Sequence, residues 1–175
     1  MAFSKNSLLR VSRNAALLAG TLCCLGTVAV SADEKSDIKA ITAVYEAHSK
    51  AFRNKDIKGL FAGMTADCKI IDKGAPLGVP QLRTAFIQKA PQIKSITEYR
   101  EDISNLHIHG KKATASVHVT FTGKIADGYG GIHDMFQTGG SEDTLIKTSS
   151  GAWKLQRSEV QFYHVVMDGK RVNSL

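Results

Sequence analysis

The spacing of apolar residues changes once along this chain, at Pro91, and that change limits what the sequence can fold into. Upstream of it, Ile38, Ile41, Val44, Tyr45, His48, Ala51 and Phe52 fall at three- and four-residue steps, the spacing of one helix face. That helix is expected to run to about Asn54. Asp56 then reads as the N-cap of a shorter helix through Met64, with Leu60, Phe61 and Met64 buried. Cys68 to Asp72 makes a short strand. Gly74, Pro76, Gly78 and Pro80 break the chain, and Pro80 opens a third helix, Gln81 to Lys89, which Pro91 stops.

Downstream the period is two. Ala113, Ala115, Val117, Val119 and Phe121 alternate with Thr114, Ser116, His118, Thr120 and Thr122, the pattern of a half-buried strand. His109-Gly110-Lys111 reads as the turn into it, and Ser149-Ser150-Gly151 as the turn of a last hairpin pairing Asp143 to Thr148 with Trp153 to Val166. Gly123 to Gly140 holds six glycines in eighteen residues, so a long mobile connection or a ragged hairpin is expected there. Three helices followed by antiparallel strands form an α+β plan: a cone-shaped roll in which a curved, mainly antiparallel sheet wraps the long helix.

The first 32 residues stand apart from this pattern. Lys5, Arg10 and Arg13 precede an uncharged, mostly apolar run from Ala15 to Val30, and Val30-Ser31-Ala32 supplies small residues before Asp33. That layout is an export signal cleaved after Ala32, and it implies a periplasmic or secreted protein with no membrane attachment after cleavage. The alternative, a retained anchor, suits the run less well: it has sixteen residues, and a spanning helix needs about twenty. Residues 33–175 then form one domain. The whole chain carries 23 basic and 16 acidic residues; without the leader 20 basic residues face the same 16 acids, a net charge of +4. No concentrated basic stripe with interleaved aromatics is present, so a nucleic-acid partner is not indicated. Of three cysteines only Cys68 lies after the leader, which leaves no internal disulfide and suggests a small buried side chain.

The passage Ala51-Phe52-Arg53-Asn54-Lys55-Asp56-Ile57-Lys58-Gly59-Leu60-Phe61, its spacing to Thr65-Ala66-Asp67 and to Asp72, and the closing Glu142-Asp143-Thr144-Leu145-Ile146-Lys147 and Gly151-Ala152-Trp153-Lys154-Leu155 together resemble the nuclear transport factor 2-like superfamily. The likeness is to its SnoaL-like and ketosteroid-isomerase-like members, and it covers nearly all of the chain after the leader. The resemblance implies a pocket between the long helix and the sheet, with a carboxylate base at Asp72, a second acid at Asp143 and a hydrogen-bond donor at His48. His48 departs from the family's isomerases, which have a tyrosine there. Homodimerisation through the outer sheet face, common in the family, is also implied.

From the residues themselves, an acid at the mouth of an apolar cone is partly desolvated and so suited to proton exchange near neutrality. Asp72 would be the base and His48 the donor or shuttle. The blander reading keeps Asp72 as a strand cap and His48 as a buried polar residue satisfied by Asp72 or Asp143. Tyr45, Phe52, Phe61, Val117, Val119, Phe121 and Leu145 are the candidate contacts to a small apolar ligand. His107 and His109 share a strand face, but a third ligand would have to come from His118, His133 or His164, so no metal is expected. Gly128-Tyr129-Gly130-Gly131-Ile132-His133 lacks the last glycine of a dinucleotide fingerprint and reads as a flexible lip, so no cofactor is expected. Ser141 and Ser158 sit in no nucleophile-elbow motif. An isomerase- or dehydratase-like enzyme, a non-catalytic binder and a dimeric interaction module all remain open on the sequence.

Overall fold

The computed structural model of the protein describes residues 32–172. The expected export signal lies outside the described residues except for Ala32, which opens the first helix. Helix α1 runs Ala32–Arg53, α2 Ile57–Ala62 and α3 Val79–Lys89. Asp56 caps α2 as its sequence suggested, accepting the Gly59 amide at 3.0 Å. Pro80 stands in the first turn of α3, where its missing N–H is no loss.

Seven strands follow or interleave: β1 Met64–Asp72, β2 Ala75–Gly78, β3 Ile93–His109, β4 Lys112–Ala126, β5 Ile132–Lys147, β6 Trp153–Met167 and β7 Lys170–Val172. They form one unclosed sheet in the order β2-β1-β6-β5-β4-β3, with β7 also paired to β6. Every pairing is antiparallel except β1 with β6, which is parallel. This is the α+β cone, three helices packed on a curved sheet.

The curvature has a local cause. The β3–β4 ladder shifts register three times, between Ile93 and Ser95, Ile96 and Glu98, and Ser104 and His107, and each irregularity bends and twists a strand that would otherwise be long and flat. Gly123 lies opposite one of these bends. A Cβ there would stand 2.3 Å from the Ser95 carbonyl oxygen, so only glycine lets the two backbones meet.

Three buried clusters fill the cone. Ile41 and Tyr45 of α1 meet Ala113, Ala115, Val117, Leu145 and Trp153; Phe52 packs with Tyr99, Phe121, Met135 and Val165; and Ala51, Leu60 and Phe61 join α1 to α2. The start of α1 is pinned to the last hairpin by Asp37, which accepts from Lys147 Nζ at 2.6 Å and Trp153 Nε1 at 2.9 Å. Its end is pinned by Arg53, whose guanidinium donates to the Tyr99 carbonyl at 2.6 Å. Ile38, placed on the apolar stripe by spacing alone, is 39 % exposed, one turn short of where the sheet covers the helix.

Several expectations about connections change. The proline- and glycine-rich stretch before α3 contains β2, paired antiparallel to the end of β1. The glycine-rich segment takes the hairpin alternative rather than the mobile connection: Gly123 belongs to β4, Gly139 and Gly140 to β5, and only a tight turn at 127–131 lies between. That turn is closed by the Asp127 carboxylate, which accepts the amides of Tyr129 and Gly131, each at 2.8 Å. It supplies no residue to the cavity described below.

Candidate functional site

A cavity of about 490 Å³ opens between α1, the concave side of the sheet and the β1–β2 hairpin. Its wall is mostly apolar, built from residues such as Val44, Met64, Ile70, Val117, Val119 and Val165. Register explains which strand residues face it. Glu101 lies opposite Val119 and Val119 opposite Gly139, while Val117 lies opposite Ser141, so alternate residues of β3, β4 and β5 share the concave face. Gly139 contributes no side chain there and leaves room in the floor.

Two polar clusters interrupt the wall. The first centres on Glu101, whose side chain is only 8 % exposed. Its carboxylate receives three donors: His48 Nδ1 at 2.9 Å, the Ser49 hydroxyl at 3.1 Å and the Tyr99 hydroxyl at 3.3 Å. An ionised carboxylate can only accept, so Nδ1 carries the proton and Nε2 is the ring nitrogen left for the cavity. The second cluster centres on Asp143, 4 % exposed, which accepts from the Tyr45 hydroxyl at 2.9 Å and the Ser141 hydroxyl at 2.8 Å. Burial pushes the Asp143 carboxyl above its ordinary range; hydrogen bonds from Ser158, Ser141 and Tyr45 work against that, and nearby Glu101 adds to it. Burial, then the Asp143 charge, raises the Tyr45 phenol, and burial with Glu101 raises Tyr99. Both tyrosines are therefore protonated donors rather than bases.

Asp72 stands elsewhere. It ends β1, is half-buried, and lines the same cavity as His48. Among the described residues no hydrogen bond reaches its carboxylate, and its neighbour Lys73 feels its charge. His48 and Asp72 thus share a cavity, and the imidazole is satisfied by Glu101 rather than by Asp72 or Asp143.

The remaining candidates divide cleanly. Tyr45, Val117 and Val119 line the cavity. Asp143 sits one layer behind it, touching the lining through Tyr45 and Ser141. Phe52 stacks on Tyr99 with ring centres 3.9 Å apart, Phe61 packs between α1 and α2, and Phe121 and Leu145 lie in the two sheet clusters; none of these four is part of the cavity wall. Cys68 is fully buried, and burial pushes its thiol up to about 11, which suits a packing role. Among the described residues no three His, Cys, Asp or Glu side chains converge as a metal site requires, and His107 and His109 are both exposed. His133 is held instead between Asp168 at 2.7 Å and Asp127 at 3.1 Å, a surface clasp.

Glu101 is the residue the sequence reading passed over. It sits in Arg100-Glu101-Asp102, which reads as a solvated charge run, yet Tyr99, Glu101 and Ile103 share one strand parity. An acid flanked at two-residue steps by an aromatic and a β-branched residue was the available signal.

No protein-family model and no curated protein matches the sequence. Solved structures do. A nuclear transport factor 2-like protein from Cytophaga hutchinsonii is 16% identical, with 70% of this chain aligned to 95% of that one at a TM-score of 0.56. The chain has the nuclear transport factor 2-like fold. A ketosteroid isomerase-like protein from Erwinia carotovora atroseptica is 18% identical over 72% of this chain and 97% of its own, with a TM-score of 0.56. A scytalone dehydratase-like protein from Novosphingobium aromaticivorans is 16% identical over 74% and 87%, with a TM-score of 0.58. At these identities the likeness establishes the fold, and chemistry has to be argued from the residues in the cavity.

Proposed function

We propose that this protein is an exported small-molecule-binding domain whose cavity carries out cofactor-independent acid/base chemistry of the isomerase or dehydratase type. The observation that supports it most is the pairing of His48 with Glu101 on the wall of an otherwise apolar cavity that also holds Asp72. Glu101 fixes the imidazole's orientation and tautomer, so Nε2 faces the bound molecule ready to accept or return a proton. Asp72, without a hydrogen-bonding partner among the described residues, is the second proton carrier. An imidazole and a carboxylate on one cavity wall can abstract a proton and return one at another atom. Structures with this fold include proteins described as isomerase-like and dehydratase-like, and this favours the same reaction class here. Export rests on the leader and places the protein in the periplasm or outside the cell.

The test begins with the molecule. Native mass spectrometry of the purified domain is expected to show a bound small apolar compound, released on denaturation. Incubated with that compound, the wild-type protein converts it, while Asp72→Asn and His48→Ala retain binding and lose conversion. Binding with no conversion by the wild type leaves a carrier and removes the enzyme. One observation bears on self-association as well: Phe136, which does not line the cavity, is 42 % exposed. A homodimer through the face that bears Phe136 should appear in sedimentation and be lost in Phe136→Lys.

A further inference from the structure

β1 and β7 use the same edge of β6 without meeting. β1 pairs with it through Arg157, Ser158 and Glu159, β7 through Val165, Val166 and Met167. Between them, among the described residues, the backbone of residues 160–164 has no strand partner on that side. Beside this gap lies a hollow of about 330 Å³ that is more polar than the cavity and adjoins it, Asp72, Val160, Phe162 and Tyr163 lining both.

Two cations flank this gap. Lys73 and Gly74 have φ of 49° and 80°, the left-handed pair of a tight hairpin turn, and the turn sets the Lys73 ammonium 5.3 Å from the centre of the Tyr163 ring. From the other side β7 presents Arg171, whose Nη2 lies 2.9 Å from His164 Nδ1. Among the described residues neither cation is in an ion pair within 4.0 Å; Lys73 interacts chiefly with the Tyr163 hydroxyl and, at longer range, with Asp72. Arg171 uses one N–H on His164 and has four more in a planar fork. Among the described residues that line the hollow, one carboxylate, Asp72, faces the two cations Lys73 and Arg171, so their summed charge is positive.

We propose that this hollow binds the anionic head group, a carboxylate, sulfonate or phosphate, of an amphipathic ligand whose apolar part fills the cavity. The proposal rests on the small-molecule reading above and specifies its substrate class. An apolar body is held by the wall of the cone, and the head group meets Lys73 and Arg171 at its mouth, which fixes which end of the molecule reaches His48.

Two fluorescent probes that differ only by a sulfonate test it: 8-anilino-1-naphthalenesulfonate and neutral N-phenyl-1-naphthylamine. Lys73→Met and Arg171→Met are each expected to weaken the sulfonate probe by about tenfold and to leave the neutral probe unchanged. Lys111→Met, at the exposed turn between β3 and β4, controls for general surface charge. The sulfonate should also displace the neutral probe, showing a shared cavity. If both probes weaken together, if the sulfonate is insensitive to both substitutions, or if Lys111→Met has the same effect, the head-group site is wrong while the cavity stands. If neither probe binds, the small-molecule reading fails and takes this one with it. Displacement by dodecanoate ahead of dodecyl phosphate assigns a carboxylate head, and the reverse order a phosphate. Displacement by inorganic phosphate as readily as by either would indicate a bare ion site and overturn the amphipathic ligand.

Discussion

Glu101 and Asp72 reach one cavity from opposite ends and in different company. Glu101 lies deep on β3, almost without exposure, and gathers three donors from α1 and from its own strand. Asp72 ends β1 at the rim with no hydrogen bond from another described residue. The inner end, with Asp143 and Tyr45 behind it, is therefore a structural joint as well as a chemical one, because removing any member strands buried donors. The rim is open chemistry on a strand end. A residue there can be exchanged with little effect on folding.

The sharpest way to break this contrast is Asp143→Ala. It leaves the Tyr45 and Ser141 hydroxyls unpaired in the interior, and urea unfolding should show a loss of about 3 kcal/mol. Glu101→Ala is expected to follow at about 2 kcal/mol by the same measurement, since its donors are nearer to solvent and water can replace part of what is lost. Asp72→Asn should change stability by less than about 0.5 kcal/mol. A loss from Asp72→Asn equal to that from Glu101→Ala would erase the distinction between joint and rim.

The smallest effect uses a cluster away from the cavity as a reference. His133, clasped by Asp127 and Asp168, has its pKa raised, chiefly by Asp168, while the two acids are lowered, chiefly by His133. The raised imidazole contributes stability that is complete below its unfolded pKa and lost as pH rises through the folded one. The lowered acids contribute stability present above their unfolded pKa and lost as pH falls through the folded ones. The difference in Tm between wild type and His133→Gln should therefore be greatest between about pH 4 and 6.5 and shrink on either side. Asp143 runs the other way. Its raised carboxyl favours the folded protein as pH falls toward the ordinary carboxylate range, so a wild-type profile that still rises on acidification below about pH 6.5 reports Asp143 rather than the clasp.

Periodicity was enough for the parts of this fold that bury a continuous face. The α1 stripe, the Asp56 cap, Pro80 and the alternation from Ala113 to Phe121 are all local signals, and each corresponds to an observed element. Strands β2 and β7 left no such trace, because four and three residues become strands only through the partner they pair with. The same limit hid Glu101. Its importance depends on the register that sets β3 beneath His48 and Ser49, and register is a tertiary fact. Phe52, Phe61, Phe121 and Leu145 show the converse: apolar spacing identifies what is buried, but not whether the neighbour is a cavity or another side chain.

The parallel pairing of β1 with β6 has a consequence for how the protein is made. Ile70 lies beside Ser158, so β1, paired locally only with the short β2, waits for nearly the last strand before it joins the main sheet, and contacts between segments so distant in the chain form slowly. Until they do, β6 has an open edge and the Ile70 side of the cavity is missing. The antiparallel meander from β3 to β6 can zip up locally from hairpin to hairpin, with Trp153 at its final turn. Trp153 also meets Asp37 and the Ile41 cluster of α1, so tryptophan fluorescence should reach its native value only when α1 docks on the meander.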